Sequence, residues 1–145
     1  MAARIGNATW NGDLSEGSGR LVVGPNRWEA DYSFRSRFTD DAAASTNPEE
    51  LLAAAHAGCF SMALTYVLTQ AGSVPRSIAT SARVRLRPVD GVPTIDLVEL
   101  DTTVDVDGVD EAALQKHAEA AEASCAVSRA LAGVAEIRVT AHPAR

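Results

Sequence analysis

Residues 47–72, which read NPEELLAAAHAGCFSMALTYVLTQAG, predict one long helix that sets the fold class. Asn47 is a favourable N-cap, Pro48 suits the first helical position, and Glu50 stands three residues after the cap, as a capping box requires. Gly72 is placed to end the helix, because glycine readily adopts the left-handed conformation of a C-terminal cap.

The body of this helix is apolar on nearly all sides, since no charged residue lies between Glu50 and Arg76. Its length alone would permit a membrane span. We favour the buried centre of a soluble protein, because His56 and several small or hydroxylated residues dilute the run and the rest of the chain has soluble patterns. The small residues would let a second backbone approach this helix closely.

The flanking segments predict an α+β fold in a single domain over residues 1–145, because the strands are sequential and the helices are not regularly interleaved. The predicted order is three strands, the long helix, two strands, two short helices and one strand. The predicted parts are a third strand at 30–38, a turn at 24–26, a loop at 39–45, a hairpin at 82–106, helices at 110–123 and from Ser124, and a last strand at 134–141.

The hairpin carries arginines on the polar face of one strand and acidic residues on the polar face of the other. Such faces should form cross-strand ion contacts, each worth about 0.2–1 kcal/mol. A solvated sheet face explains these charges better than a docking surface does.

Composition excludes several classes of protein. The 145 residues carry 13 basic and 19 acidic side chains, a net charge of −6 that argues against nucleic acid or an anionic membrane as the main partner. The first residues contain no apolar run of signal-peptide length, so we expect a cytoplasmic protein. Two cysteines, Cys59 and Cys125, cannot alone form a structural zinc site, and a permanent disulfide is unexpected in a reducing cytosol. They are therefore either inert buried thiols or a redox pair.

Cys59 lies within the apolar helix, where burial should raise the pKa of its thiol. A reactive Cys59 therefore needs a nearby cation, and Arg35 and Arg37 share one face of the preceding predicted strand. His56, three residues before Cys59, could polarise the thiol, although a hydrogen-bonded core histidine is the commoner role for such a residue. Taken alone, Cys59 is better explained as a small core residue than as a reactive thiol.

Cys125 has a different local setting. If Ser124 is an N-cap, Cys125 is the first helical residue, where backbone N–H groups favour an anion. Local physics therefore leaves open which cysteine attacks an oxidant and which one resolves the product.

The run TNPEELLAAAHAGCFSMAL, residues 46–64, resembles the central-helix signature of the OsmC (osmotically inducible protein C) family, sister to the organic hydroperoxide resistance proteins. Cys125-Ala126-Val127-Ser128 is similar to the second family motif, in which proline usually occupies the position of Ala126. FRSRF, residues 34–38, resembles the strand that carries the family arginine, with Arg37 at the matching position. ATWNGDL near the N-terminus also fits, so the resemblance covers nearly the whole chain.

The resemblance implies an OsmC-like fold, with antiparallel sheets around a long buried central helix in an intertwined homodimer. It also implies a thiol peroxidase for organic hydroperoxides that needs no haem, flavin or metal. Cys59 would be the peroxidatic cysteine and Cys125 the resolving cysteine, with Arg37 and Glu49 as the polar pair that tunes Cys59. A Cys59 sulfenic acid would condense with Cys125, and an external dithiol, by implication a dihydrolipoyl group, would reduce the disulfide.

Helix geometry adds one constraint to that implied site. Ten residues of straight helix separate Glu49 from Cys59 by about 15 Å, which a glutamate side chain cannot bridge. Either the helix breaks near Ala53, or Glu49 and Arg37 come from the second subunit. The small-residue surface of the helix favours the second arrangement.

Two other functions stay open from the sequence. The protein could act on another oxidant or disulfide, or it could be a non-catalytic binding or structural dimer with inert thiols. The joint presence of Arg37, Glu49, Cys59 and Cys125 favours the peroxidase. The apolar residues flanking the thiol favour alkyl or aryl hydroperoxides over hydrogen peroxide, unless they are plain core. They are Leu51, Leu52, Phe60, Met62 and the aromatic residues of the first strands.

Overall fold

The structure is a computed structural model that describes residues 3–25, 28–39 and 45–144. It confirms the α+β class and forms two compact units, residues 1–51 and 52–145. A single domain over the whole chain stays a prediction. The interior of the predicted loop at 39–45 lies outside the described residues, and so does the last position of the predicted turn at 24–26.

The first unit contains a three-stranded antiparallel sheet formed by β1 (Gly6–Asn11), β2 (Ser18–Val23) and β3 (Trp28–Ser33), in that order. Gly19 of β2 lies directly opposite Tyr32 of β3. A Cβ atom at Gly19 would collide with the tyrosine ring and with a β1 carbonyl. The glycine therefore lets the Tyr32 ring lie across the strand.

The third strand is shorter than the sequence predicts. It ends at Ser33, and Arg35–Arg37 forms a short 3-10 helix, so the prediction of a strand to residue 38 is wrong. The cause is a reciprocal pair of side-chain bonds: the Ser33 N–H donates to Ser36 Oγ at 3.2 Å and the Ser36 N–H donates to Ser33 Oγ at 3.0 Å. Serine side chains that bond nearby backbone compete in this way with strand pairing. Arg35 and Arg37 consequently do not share a strand face.

The long helix, α1, spans Pro48–Gln70 and begins as predicted. The Glu50 N–H donates to Asn47 Oδ1 at 2.9 Å, which confirms Asn47 as the N-cap. The Glu50 carboxylate accepts the Thr46 hydroxyl at 2.7 Å rather than returning to the Asn47 backbone. Only one of the two capping-box bonds therefore forms. The Glu50 carboxylate bonds to Thr46, one residue before the cap, instead of to Asn47.

The C-terminus of α1 is also as predicted. Gly72 has a φ of 85°, and the N–H of Ser73 donates to the Leu68 carbonyl at 2.9 Å. This is the Schellman arrangement, which satisfies the last carbonyls of a helix.

One stripe of α1 is buried within the single chain. The buried residues are spaced four apart: His56, Phe60, Leu64 and Leu68. The opposite side is open within the single chain, with Met62 70% and Tyr66 64% exposed. Among the described residues, α1 is the one helix with the length and composition of a membrane span, a property it shares with core helices of soluble proteins.

The second unit contains the hairpin of β4 (Ser77–Val89) and β5 (Val92–Asp105), which turns at Asp90-Gly91. β6 (Glu136–Pro143) completes the sheet in the order β4-β5-β6, and it runs parallel to β5. The expectation of wholly antiparallel sheets is therefore wrong for this pair. A parallel neighbour needs a crossover connection, and the two helices between β5 and β6 supply it.

Those helices are α2 (Glu111–Ser124), capped by Asp110, and α3 (Ala126–Ala130). Apolar residues from α1, β5, β6 and α2 form the core of the second unit together with Cys125. The core therefore extends to the junction of α2 and α3, where that cysteine lies.

The charged residues of the hairpin form ion pairs with other partners than the sequence predicts. A β-bulge places Asp96 beside both Arg85 and Arg87, although Asp96 is only 5% exposed. The Arg85 hydrogen bond, together with Arg87, holds the pKa of Asp96 well below its usual range, although burial opposes the shift. Glu99 instead contacts Arg138 of β6 at 3.7 Å.

Candidate active site

The two cysteines meet in the second unit. Cys59 is half-buried on α1, and Cys125, 1% exposed, lies between α2 and α3. Both are free thiols, Cys59 packs against the core cluster that contains Cys125, and the Cys59 side chain is among the groups that lower the pKa of Cys125. The fold therefore brings two cysteines that are 66 positions apart in the sequence to the same cluster.

Cys125 is itself the N-cap of α3, which corrects the prediction that Ser124 is the cap. Ser124 is the last residue of α2, and its hydroxyl donates to the Ala120 carbonyl at 3.0 Å. Because α2 continues one residue further than expected, the backbone is extended at Cys125 before α3 begins.

Two opposing influences act on the Cys125 thiol. Burial raises its pKa, whereas hydrogen bonds from the Ser128 and Val127 N–H groups, from the Cys59 side chain and from the Ser128 hydroxyl lower it. The hydrogen bonds prevail, so the pKa of Cys125 lies below its ordinary value. Hydrogen bonds to an anion favour the charged form in this way.

His56 does not polarise Cys59 directly. It is fully buried, and its Nε2 lies 2.7 Å from Ser128 Oγ. Burial lowers the pKa of His56, which keeps the ring neutral near pH 7. His56 thus contacts Ser128, three residues after Cys125, rather than Cys59.

Arg37 and Glu49 form the predicted polar pair in the first unit. Arg37 Nη2 lies 2.5 Å from Glu49 Oε1, and Arg37 Nε lies 3.2 Å from both carboxylate oxygens. The Glu49 hydrogen bond raises the pKa of Arg37, although burial opposes it. Arg35, the other predicted cation, is exposed and forms no ion pair with any residue that the structure describes.

A cavity of about 290 Å³ borders this ion pair and has mostly apolar and aromatic walls. Its lining residues are Trp10, Leu14, Tyr32, Ser33, Phe34, Arg37 and Pro48. Of the apolar residues predicted to flank a substrate, Phe60 belongs to the core instead and Met62 is exposed. Of the residues named in that prediction, the aromatic residues of the first strands line the cavity.

α1 shows no break near Ala53, so the helix-break arrangement for bringing Glu49 to Cys59 is excluded. Within residues 3–25, 28–39 and 45–144, no three His, Cys, Asp or Glu side chains cluster in a way that could hold a metal ion.

The sequence patterns are matched by known proteins. The family model described as OsmC-like protein matches residues 39–140, which is more than half of the chain. The chain belongs to the OsmC-like family. Peroxiredoxin OsmC of Escherichia coli (strain K12) is 40% identical to this OsmC-like chain over 127 residues, 87% of each protein.

Solved structures show the same fold. An organic hydroperoxide resistance protein from Elizabethkingia anophelis superposes with a TM-score of 0.72 at 23% identity, covering 100% of this OsmC-like chain and 97% of that one. The organic hydroperoxide resistance protein OhrB of Bacillus subtilis gives a TM-score of 0.68 at 23% identity, with 97% and 98% covered. At 23% identity, these superpositions show only that the fold is shared.

Sequence reasoning missed the role of Ser128 in this OsmC-like site. Ser128 was part of a motif, yet its contact with His56 was not foreseen. The two residues are 72 positions apart, so no local spacing signals the contact.

Proposed function

We propose that this OsmC-like protein is a cysteine-based peroxidase that reduces organic hydroperoxides to alcohols. The observation that carries the proposal is the pair of free thiols, Cys59 and Cys125, at the core cluster of the second unit. The name of the Escherichia coli relative, a peroxiredoxin, supports peroxidase chemistry, and the names of the two structural neighbours support organic hydroperoxides as substrates.

We assign the first step to Cys59, and its exposure supports this assignment. Cys59 is half-buried, whereas Cys125 is 1% exposed. The Cys59 thiolate attacks the distal peroxide oxygen and the O–O bond breaks. The alkoxide takes a proton and leaves as the alcohol, while Cys59 becomes a sulfenic acid.

Cys125 suits the second step because its lowered pKa favours the thiolate that attacks the oxidised sulfur. The Cys59–Cys125 disulfide forms and the sulfenic oxygen leaves as water. An external dithiol, proposed to be a dihydrolipoyl group, then returns two electrons by thiol–disulfide exchange. The cycle needs no metal, haem or flavin.

We further propose that each site is shared across a homodimer, with Arg37 and Glu49 supplied by the partner of the chain that carries Cys59. The unbroken α1 supports this arrangement, since ten residues of helix separate Glu49 from Cys59 by about 15 Å. The uncovered side of α1 supports it as well. That side contains small, apolar and hydroxylated residues: Ala54, Ala55, Gly58, Met62, Thr65, Tyr66 and Thr69.

The proposed substrate has an alkyl or aryl group. The cavity beside Arg37 has apolar and aromatic walls, which would hold such a group and leave its polar end near the guanidinium. We place the protein in the cytoplasm, and its net charge of −6 supports the absence of nucleic-acid or anionic membrane partners.

Intact mass after one equivalent of cumene hydroperoxide tests the proposal. The wild type should lose two hydrogens as the disulfide forms, whereas Cys125→Ala should gain one oxygen at Cys59. Cys59→Ala is the matched control and should keep its mass. A wild-type protein whose mass does not change would contradict the peroxidase and favour a binding dimer with inert thiols.

A further inference from the structure

We infer that Trp10 and Tyr32 determine substrate specificity by making the cavity beside Arg37 selective for hydroperoxides that carry one aryl ring. Both side chains line that cavity, which measures about 290 Å³. The reaction in this inference rests on the proposed peroxidase function, whereas the preference of the cavity for an aryl group rests on its walls alone.

The two rings belong to one row across the first sheet. Trp10 of β1 is directly opposite Gly19 of β2, and Gly19 is directly opposite Tyr32 of β3. Residues directly opposite each other on neighbouring strands point to the same face of a sheet. One face therefore carries two aromatic side chains with a glycine between them, and their ring centroids are 5.5 Å apart at an angle of 57°.

Glycines give both rings their room. A Cβ atom at Gly19 would collide with the Tyr32 ring, and a Cβ atom at Gly17 would collide with the Trp10 ring. Each ring therefore packs directly against glycine backbone, in a position that any other residue at these two sites would obstruct.

The polar atoms of both rings are hydrogen-bonded to the backbone. Trp10 Nε1–H donates to the Gly12 carbonyl at 3.0 Å, and the Tyr32 hydroxyl donates to the Thr9 carbonyl at 3.3 Å. These bonds use the donor of each side chain, so the part of each ring that remains for a ligand is apolar. They also fix the orientation of the wall before binding, which lowers the entropy lost when a ligand binds.

Aromatic walls favour an aryl group over an alkyl group of similar size. Aromatic pairs in offset or edge-to-face arrangements gain free energy beyond that of burying their area. Phe34 adds a third ring to the walls of this cavity. An alkyl group is buried there without the ring contacts, so we expect the aryl group to bind about fivefold more tightly.

The size and the charge of the cavity restrict the ligand further. Pockets for drug-sized ligands begin at about 300 Å³, so this cavity suits one ring with short substituents better than a long acyl chain. Among the described residues that line it, Arg37 alone is charged. Glu49 accepts hydrogen bonds from Nε and Nη2 of Arg37, which leaves the N–H groups of Nη1 outside that ion pair and able to donate to a peroxide oxygen.

Two unreactive alcohols test the preference without any peroxide. Cumyl alcohol is the product expected from cumene hydroperoxide, and its control is the tertiary alcohol in which a hexyl chain replaces the phenyl ring, with as many carbon atoms. Trp28→Phe leaves Trp10 as the one tryptophan of the sequence, so quenching of its fluorescence reports binding at the cavity. Cumyl alcohol should bind about fivefold more tightly than the hexyl alcohol.

Substitutions of Tyr32 in the Trp28→Phe background locate the source of the preference. Tyr32→Leu keeps an apolar wall but loses the ring, so the preference should fall to about twofold. Tyr32→Phe is the matched control, because it keeps the ring and should keep the preference. In the same variants, the ratio of kcat/KM for cumene hydroperoxide to kcat/KM for tert-butyl hydroperoxide should fall with Tyr32→Leu and not with Tyr32→Phe.

Calorimetric titration of the wild type with both alcohols repeats the comparison without a variant, so the inference is tested even if Tyr32→Leu does not fold. Equal affinities, no binding of either alcohol, or an undiminished preference in folded Tyr32→Leu would overturn the inference and leave the peroxidase standing. The expected preference together with absent hydroperoxide consumption would instead overturn the peroxidase and leave an aryl-binding cavity.

Discussion

At the scale of single residues, hydrogen bonds decide the properties of the two cysteines more than burial does. Cys125 is the more buried thiol, and burial alone would raise its pKa, yet its donors lower it. Cys59 is distinguished by access, because it is half-buried, whereas Cys125 is 1% exposed.

Asp96 provides a prediction of pH dependence at the same scale. Its pKa is depressed in the folded protein by Arg85 and Arg87, so its contribution to stability is present above the unfolded carboxyl pKa of about 3.9. That contribution is lost as pH falls below about 4 toward the depressed folded pKa. Thermal unfolding of Asp96→Asn should therefore differ from the wild type at pH 7, with the difference shrinking toward pH 2.

Asp101→Asn is the control for this prediction, because Asp101 is an exposed carboxylate on the same strand. A difference between Asp96→Asn and the wild type that stays constant from pH 7 to pH 2 would show that Asp96 does not act through its charge.

At the scale of elements, both ends of α1 are determined locally and its sides are not. Asn47 and Gly72 begin and end the helix through bonds within a few residues, so the sequence predicts both ends. The side chains of α1 are apolar nearly all round, so no polar face in the sequence marks which side enters the core.

Gly72→Ala tests the local C-terminal signal. Gly72 has a φ of 85°, a conformation that costs an L-residue about 1–2 kcal/mol, and no atom of its surroundings would obstruct the added methyl group. The variant should therefore lose about 1 kcal/mol of unfolding free energy in urea titrations. Gly133→Ala is the matched control, since Gly133 is also unobstructed and lies outside the left-handed region. Equal effects of the two substitutions would contradict the role of backbone conformation.

At the scale of the whole molecule, the proposed peroxidase depends on two sets of residues that one chain carries in separate units. The thiol pair belongs to residues 52–145, and the Arg37–Glu49 pair belongs to residues 1–51. A shared dimeric site would combine the two sets across a symmetry axis, so that each chain completes the other.

Subunit mixing tests that arrangement. Arg37→Gln chains and Cys59→Ser chains should each be nearly inactive, because each lacks one half of every site. After unfolding and refolding together in equal amounts, half of the dimers pair unlike chains, and each of these has one intact site. About a quarter of wild-type hydroperoxide consumption should return.

Homodimers of each variant, refolded alone, are the controls for the mixing experiment. Mixtures that stay as inactive as these controls would show that Arg37 serves Cys59 of its own chain. Sedimentation measurements would establish that mixed dimers form.

The sequence by itself determined the α+β class, the three early strands and the caps of α1. It also made Arg37 and Glu49 candidates for the polar pair of the site. Those features depend on local patterns, such as strand alternation, cap spacing and left-handed glycine, or on a family motif. Two predicted boundaries were wrong: the third strand ends at Ser33, and Ser124 is not the cap of α3. Side-chain hydrogen bonds shift such a boundary by a few residues and change which residue is exposed.

Only the tertiary structure decided that β6 runs parallel to β5 and that His56 contacts Ser128 rather than Cys59. Both contacts join residues far apart in the chain: 72 positions separate His56 from Ser128. Local spacing carries no information about such pairs. They form because packing the apolar stripe of α1 against the second sheet and α2 brings distant polar groups together, where each must find a partner.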